Sequence, residues 1–138
     1  MNNRALIDYI LFAEAWFLLH LAKLVILLLP FKKIASRMGQ LQAESTNEVG
    51  PTVWPLRIEH AIRRASRSTL HDSKCYDQAL VAKALLNQSG LPATIYFGLA
   101  KEGDSNLSAH AWVRCGNKIV TGKAGMERFT VIACFGDA

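Results

Sequence analysis

The first third of the chain constrains the fold most, because it is almost wholly apolar from Ala5 to Phe31. The polar interruptions in this run are Asp8, Glu14, His20 and Lys23. No uncharged stretch therefore reaches the ~18 residues of a membrane-spanning helix. These interruptions leave no clean polar stripe, which predicts a helix covered on most sides by the rest of the domain or by a partner protein. The weaker alternative is an interfacial membrane anchor with Lys23, Lys32 and Lys33 near the lipid headgroups.

The domain organisation follows from chain length and from two breaks. Pro30 ends the apolar helix, since its ring clashes with the preceding turn. Residues 40–53 are rich in polar and turn-forming residues, which indicates a loop. A chain of 138 residues suits one domain and is too short for two of ordinary size. We therefore predict a single domain over 1–138, with an apolar helical region at 1–39, a loop at 40–53 and the main fold at 54–138.

Composition and charge exclude several classes of protein. The apolar fraction of 51% and charged fraction of 20% are typical of a globular protein. The net charge of +5 favours acidic partners, but the basic residues are scattered without interleaved aromatics, so a nucleic-acid partner is not expected. The three cysteines have no zinc-binding spacing, and we expect neither metal nor cofactor. The chain shows no secretory signal, which predicts reduced thiols in the cytoplasm.

Residues 54–138 combine helical and strand patterns. Periodicity and stop signals predict one helix from Pro55 to about Thr69 and another from Tyr76 to Ser89. Period-two patterns predict strands at 93–99, 109–113, 118–121 and 129–135, with a tight turn at Gly116–Asn117. Helices followed by antiparallel strands indicate an α+β fold in which the second of these helices packs on an antiparallel sheet.

Cys75 stands at the start of that second helix, with Asp72 or Ser73 as the expected N-cap. In the first helical turn, unpaired backbone N–H groups and the helix dipole favour a thiolate over a thiol. Cys115 and Cys134 lie in strand patterns and are expected to be buried structural residues. Cys75 is therefore the predicted nucleophile.

His110 begins a predicted strand after a polar loop. A lone strand histidine is more often a satisfied core residue, but the cysteine at a helix N-terminus favours a general base here. Alternation and pairing across the Gly116–Asn117 turn place Thr121 on the same face of the sheet as His110. The sequence therefore predicts a site with Cys75, His110 and Thr121 close together.

An ordered set of motifs carries a family resemblance. The motifs are Cys75-x-x-Gln78-Ala79-Leu80, Leu85-Leu86, Gly90, and His110-Ala111-Trp112-Val113 followed by Gly116. At this chain length, the set resembles the transglutaminase-like leader peptidases of lasso-peptide biosynthesis. Glu14-Ala15 and Leu29-Pro30-Phe31 are similar to the stand-alone form of that enzyme, so the likeness covers nearly the whole chain.

The resemblance implies a papain-like catalytic core at 54–138. Cys75 would attack a peptide carbonyl, His110 would move the proton, and the leader would be cut from a ribosomally made precursor. The implied partners are the precursor, a small leader-recognition protein and an asparagine-synthetase-like cyclase. Gln78, one turn after Cys75, would support the oxyanion or merely pack.

Relatives often carry an aspartate about a dozen residues after the histidine, whereas this chain reads Ile119-Val120-Thr121-Gly122. We therefore predict that Thr121 orients His110, through its hydroxyl or by leaving that role to a backbone carbonyl, with Asp104 as a weaker alternative. Two other functions stay open. An acyl transferase results if an amine attacks the thioester, and a peptide-binding adaptor results if the site is degenerate.

Overall fold

Between residues 3 and 137 the fold contains four α-helices and one antiparallel sheet. The computed structural model describes residues 3–137. The helices are α1 (Asn3–Leu28), α2 (Phe31–Ala35), α3 (Trp54–Ser66) and α4 (Cys75–Gln88). The strands are β1 (Gln40–Leu41), β2 (Thr94–Glu102), β3 (Asn106–Cys115), β4 (Lys118–Thr121) and β5 (Thr130–Gly136), with a short 3₁₀ helix at Met126–Arg128. The sheet order is β1-β5-β2-β3-β4, and α3 and α4 contact the β3–β4 side. The predicted α+β class is confirmed.

Alternation along β3 divides the core between the two faces of the sheet. Ala111 and Val113 belong to the main core, which the four helices share with one sheet face. Trp112 faces the other way and stacks on Tyr96, with ring centroids 5.6 Å apart and planes 12° apart. The helix-covered face therefore carries most of the buried apolar surface, and the opposite face carries a small aromatic cluster.

The strands are longer than the sequence pattern predicts. The predicted loop at 101–108 is mostly strand, because β2 runs to Glu102 and β3 starts at Asn106. These ends are polar and exposed, so they lack the apolar alternation that identifies a half-buried strand. The predicted loop at 40–53 contains β1, which pairs with β5. The turn at Gly116–Asn117 is confirmed, since Cys115 pairs with Lys118.

α1 is covered on one side only. Its buried residues are Leu11, Ala15, Leu19 and Ala22, a stripe that packs toward α3 and α4. The rest of the described chain leaves large apolar side chains exposed along the whole helix, so the prediction of a helix covered on most sides does not hold within residues 3–137. By length and composition, α1 could cross a membrane. The helix ends at Leu28, two residues before Pro30, as predicted.

Candidate active site

Cys75 is the first residue of α4, and local hydrogen bonds define that helix start. Lys74 occupies the N-cap in an extended conformation, and its backbone N–H donates to Asp77 Oδ2 at 3.2 Å. The expected caps Asp72 and Ser73 therefore lie two positions and one position too early, respectively. The first N–H groups of the helix have no carbonyl four residues back, so they point their partial positive charge toward the end that carries Cys75.

His110 is held by the backbone that follows β4. Its Nε2 lies 2.7 Å from the carbonyl oxygen of Gly122. A carbonyl only accepts hydrogen bonds, so Nε2 carries the proton in the neutral ring, and Nδ1 carries the free lone pair. The ring also stacks on Phe129, with centroids 5.0 Å apart and planes 29° apart. This arrangement fixes both the tautomer and the ring plane, leaving Nδ1 ready to accept a proton.

A cleft of about 310 Å³ brings the predicted site residues together. It is lined by Cys75, Gln78, His110 and Thr121, and by Gly122, with the charged side chains of Glu59, Arg63 and Lys123 also contributing. β4 pairs only with the last residues of β3, and the chain that leaves β4 at Gly122 lies beside His110 and Ala111. Within residues 3–137, no hydrogen bond joins Cys75 Sγ to the His110 ring. Cys75 and His110 thus line the same cleft, as a cysteine nucleophile and a histidine base would have to do to act on one substrate.

Thr121 was predicted to share a sheet face with His110. It lines the cleft from the other face of the sheet, the face of Val113. The β3–β4 register shifts between Val113 and Arg114, so Thr121 pairs with Val113, while Ile119 pairs with Arg114. The alternation argument was therefore wrong for Thr121, because a β-bulge moves one residue to the other face. The Thr121 hydroxyl is buried and has no hydrogen-bond partner in the described chain.

In this geometry the acceptor for His110 is the main-chain carbonyl of Gly122. Gly122 has φ +77°, and a Cβ there would lie 2.4 Å from the Ala111 carbonyl oxygen. Only glycine fits both the conformation and the space. The sequence signal was a glycine directly after β4, but neither its φ nor the direction of its carbonyl can be read from the sequence. Asp104, the weaker alternative, is exposed in the β2–β3 turn and does not line the cleft.

Gln78 lies one turn into α4 and lines the cleft. Its side-chain nitrogen donates to the Ser73 carbonyl at 3.4 Å, which ties the loop before α4 to the helix. One amide hydrogen remains for a substrate oxygen. The proposed oxyanion role of Gln78 stays a prediction, and so does the orienting role of Thr121.

Unpaired buried polar groups concentrate around Cys75. In residues 3–137, the buried side-chain atoms without a hydrogen-bond partner are His71 Nδ1, Ser73 Oγ, Tyr76 OH and Thr121 Oγ1. The first three flank Cys75 in sequence, and the fourth lines the cleft. Burial, and secondarily the charge of Asp77, raise the pKa of Tyr76. Sequence reasoning missed this polar shell because its members have no common spacing.

The other two cysteines differ from Cys75 in their surroundings. Cys115 and Cys134 are buried, whereas Cys75 is partly exposed. Burial raises the pKa of both the Cys115 and the Cys134 thiols, so they are held in the protonated form. No group of three or more His, Cys, Asp or Glu residues suited to a metal occurs in the described part of the chain.

Comparison with known protein families identifies the superfamily of this chain. The model described as the transglutaminase-like superfamily matches residues 16–134, which span the helix start at Cys75, the strand with His110 and nearly all of the sheet. The chain therefore belongs to the transglutaminase-like superfamily, whose fold serves cysteine peptidases and acyl transferases. No curated protein and no solved structure matches the chain.

Proposed function

We propose that this chain is a cytoplasmic cysteine peptidase that removes the leader peptide from a lasso-peptide precursor. The single observation that supports it best is the shared cleft, in which Cys75 at a helix N-terminus lies with a histidine whose Nε2 is held and whose Nδ1 is free. The superfamily match supports the chemistry, and the ordered motifs at 75–80 and 110–116 support the narrower role.

The mechanism assigns one task to each group. His110 Nδ1 takes the Cys75 proton, and the thiolate attacks the carbonyl carbon at the end of the leader. The backbone N–H of Cys75 donates to the resulting oxyanion, with the free amide hydrogen of Gln78 as a second donor. The His110 imidazolium then protonates the leaving amine, which is the new N-terminus of the core peptide. Water, activated by His110, finally hydrolyses the thioester and releases the leader as a free acid.

Gly122 acts as a positioning residue in this scheme. Its carbonyl keeps the proton on Nε2, so that Nδ1 is the nitrogen that exchanges protons with sulfur and amine. A carbonyl supplies orientation and a dipole but no full negative charge, unlike the carboxylate of many relatives. We infer that this site orients His110 with a neutral main-chain acceptor in place of a carboxylate.

The proposed partners are a small leader-recognition protein that presents the precursor and an asparagine-synthetase-like cyclase that closes the ring. Both follow from the motif resemblance. The test uses a precursor peptide whose gene lies beside the gene for this protein. The peptide is incubated with the protein and its presumed recognition partner, and the products are identified by mass spectrometry. We expect a free leader acid with the wild type and none with Cys75→Ala.

Two comparisons make this experiment decisive. Cys134→Ala removes a buried cysteine outside the cleft and should cleave like the wild type. A leader joined to an amine instead of water would show acyl transfer. If neither wild type nor variants cleave in the presence of both partners, the peptidase proposal fails and peptide binding without catalysis becomes the better function.

A further inference from the structure

We propose that the C-terminal half of α1, together with α2, binds the surface of an anionic lipid bilayer. The apolar tip of this region consists of Leu24, Leu27, Leu28, Leu29 and Phe31, and one side of the Phe31 ring packs against Phe97 and Phe135. Each residue of the tip is between 42% and 71% exposed in the folded chain. A contiguous exposed patch of large apolar side chains at one end of a helix marks an interaction surface, because monomeric proteins rarely leave such a patch in water.

The charge around the apolar tip has one sign. Residues 15–43 contain no acidic side chain, whereas Lys23, Lys32, Lys33 and Arg37 are all basic. None of these four basic side chains makes an ion pair within residues 3–137. Free cations beside exposed leucines are the pattern of a segment that lies in the headgroup region, where each Lys or Arg adds attraction to anionic lipids.

An open groove of about 630 Å³ lies beside the apolar tip, between α1, α2 and α4. Leu21, Val25 and Leu80 contribute to its apolar walls, and Lys33 and Arg37 line it as well. No carboxylate lines it. The groove therefore suits an acyl chain along the walls with a phosphate beside the two cations.

The composition of the surface favours lipid over a protein partner. Energetically dominant residues of protein interfaces are enriched in Trp, Tyr and Arg, whereas leucine is under-represented among them and lysine is depleted from interfaces. The apolar tip is four leucines and one phenylalanine, and three of the four nearby cations are lysines. Flexible leucine and lysine side chains suit a fluid apolar phase with snorkelling ammonium groups.

The contact is peripheral and does not cross the bilayer. The stripe of Leu11, Ala15, Leu19 and Ala22 holds α1 against α3 and α4. A spanning helix would lose this packing and would draw Asp8 and Glu14 into hydrocarbon. The surface-bound orientation keeps the packing of this stripe and leaves Asp8 and Glu14 outside the hydrocarbon.

The test is sedimentation of the full chain with sucrose-loaded vesicles of phosphatidylcholine alone or mixed equally with phosphatidylglycerol. We expect binding to the mixed vesicles that weakens in high salt, and little binding to phosphatidylcholine. Lys32→Glu combined with Lys33→Glu should weaken binding at least about tenfold. Leu27→Ser combined with Leu28→Ser should abolish it, because the inserted area is lost.

The chain offers matched controls in Leu70 and Leu107, which are 86% and 70% exposed outside the tip. Leu70→Ser combined with Leu107→Ser should bind vesicles like the wild type. Circular dichroism of each variant checks folding. The proposal is overturned if the wild type ignores anionic vesicles, if the control pair loses as much binding as the tip pair, or if light scattering shows that the tip instead joins two copies of the chain. Leader cleavage in vesicle-free buffer is scored separately, so either proposal can fail alone.

Discussion

The two ends of α4 differ in whether their buried polar groups have hydrogen-bond partners. At the C-terminal end, the buried Lys83 ammonium donates to the Ala93 carbonyl at 2.6 Å and to Asp137 Oδ2 at 2.7 Å. The Asn87 amide and the Ala93 N–H donate to the same carboxylate at 2.8 and 2.9 Å. Toward the N-terminal end, four buried polar atoms, on His71, Ser73, Tyr76 and Thr121, have no hydrogen-bond partner in the described chain, and the Thr121 atom belongs to the lining of the Cys75 cleft.

This difference suits a helix whose C-terminal end stabilises the fold and whose N-terminal end carries the proposed site. Burial alone would raise the pKa of Asp137, but the hydrogen bonds from Lys83, the Ala93 N–H and Asn87 outweigh it and lower the pKa. A satisfied buried network of this kind stabilises the end of the chain. An unsatisfied buried group costs about 1–3 kcal/mol, and such groups persist mainly where a site needs them free. The following substitutions test that division of roles.

The largest effect is expected for His110→Ala. If His110 is the general base as proposed, its loss should reduce the rate of the proposed leader cleavage roughly 10²–10⁴-fold, with little change in thermal stability because the ring is only partly buried. Cleavage kinetics and a thermal melt measure the two quantities. His60→Ala removes an exposed histidine that does not line the cleft and should change neither. A His110 variant that unfolds would contradict the division of roles.

Asp137→Ala should destabilise the fold by about 3 kcal/mol, because it leaves the Lys83 ammonium buried without its counter-charge. Urea unfolding measures this, and cleavage by the folded fraction should keep its rate. Replacing both partners, Lys83→Met with Asp137→Ala, should recover part of the loss. No recovery would mean that the ion pair is not the source of the stability.

The Asp137 carboxyl should also make the stability of the fold depend on pH. Since folding lowers the pKa of Asp137, its contribution is complete above the unfolded value near ~3.9 and is lost as pH falls through the folded value. Wild type should therefore lose its stability advantage over Asp137→Asn in acid. An advantage that persists at the lowest pH would contradict the assignment.

Gly122→Ala should cost roughly 1–3 kcal/mol of stability and also lower activity, since the His110 acceptor must move. Gly90, just after the other end of α4, is the matched control. Its φ of +78° equals that of Gly122 within a degree, but nothing lies within 4 Å of an added Cβ. Gly90→Ala should therefore lose only the stability that the positive φ costs an alanine, and it should leave cleavage unchanged. Equal effects of the two variants would show that the close approach at Gly122 is unimportant.

The smallest effect is expected for Thr121→Val. Valine has the same shape as threonine but lacks the buried hydroxyl that has no hydrogen-bond partner, so the variant should be more stable by about 1 kcal/mol. Thr94 is the contrasting threonine, because its buried hydroxyl accepts from the Ser45 N–H at 2.8 Å. Thr94→Val should destabilise. An unchanged cleavage rate in Thr121→Val would refute an orienting role for the hydroxyl.

Local signals predicted both ends of α4 to within one residue. The polar run before Cys75 marks the helix start, and Gly90 with Pro92 marks its end, so the position of Cys75 in the first helical turn followed from the sequence. The order of helices and strands also predicted the α+β class. These features depend on neighbours within a few residues.

The remaining features depend on contacts between distant residues. β5 lies beside β2 and not beside β4, the strand that precedes it in the chain, and β1 pairs with β5 across the sheet edge. The bulge between Val113 and Arg114 reverses the face on which Thr121 lies. No periodicity within a strand reports either fact. A backbone carbonyl was among the predicted acceptors for His110, but its identity as that of Gly122 could not be predicted, since it depends on how the chain leaves β4.

Because His110 is held by a main-chain carbonyl, neither side-chain mutagenesis nor a search for catalytic side chains can detect its acceptor directly. A main-chain oxygen is present whatever residue occupies position 122, so no side-chain truncation deletes it, and an alanine scan would report only the distortion at that glycine. Searches for a third catalytic side chain would judge the site incomplete. Replacing the peptide bond after Gly122 by an ester would weaken this acceptor without altering any side chain, and would reveal its part directly.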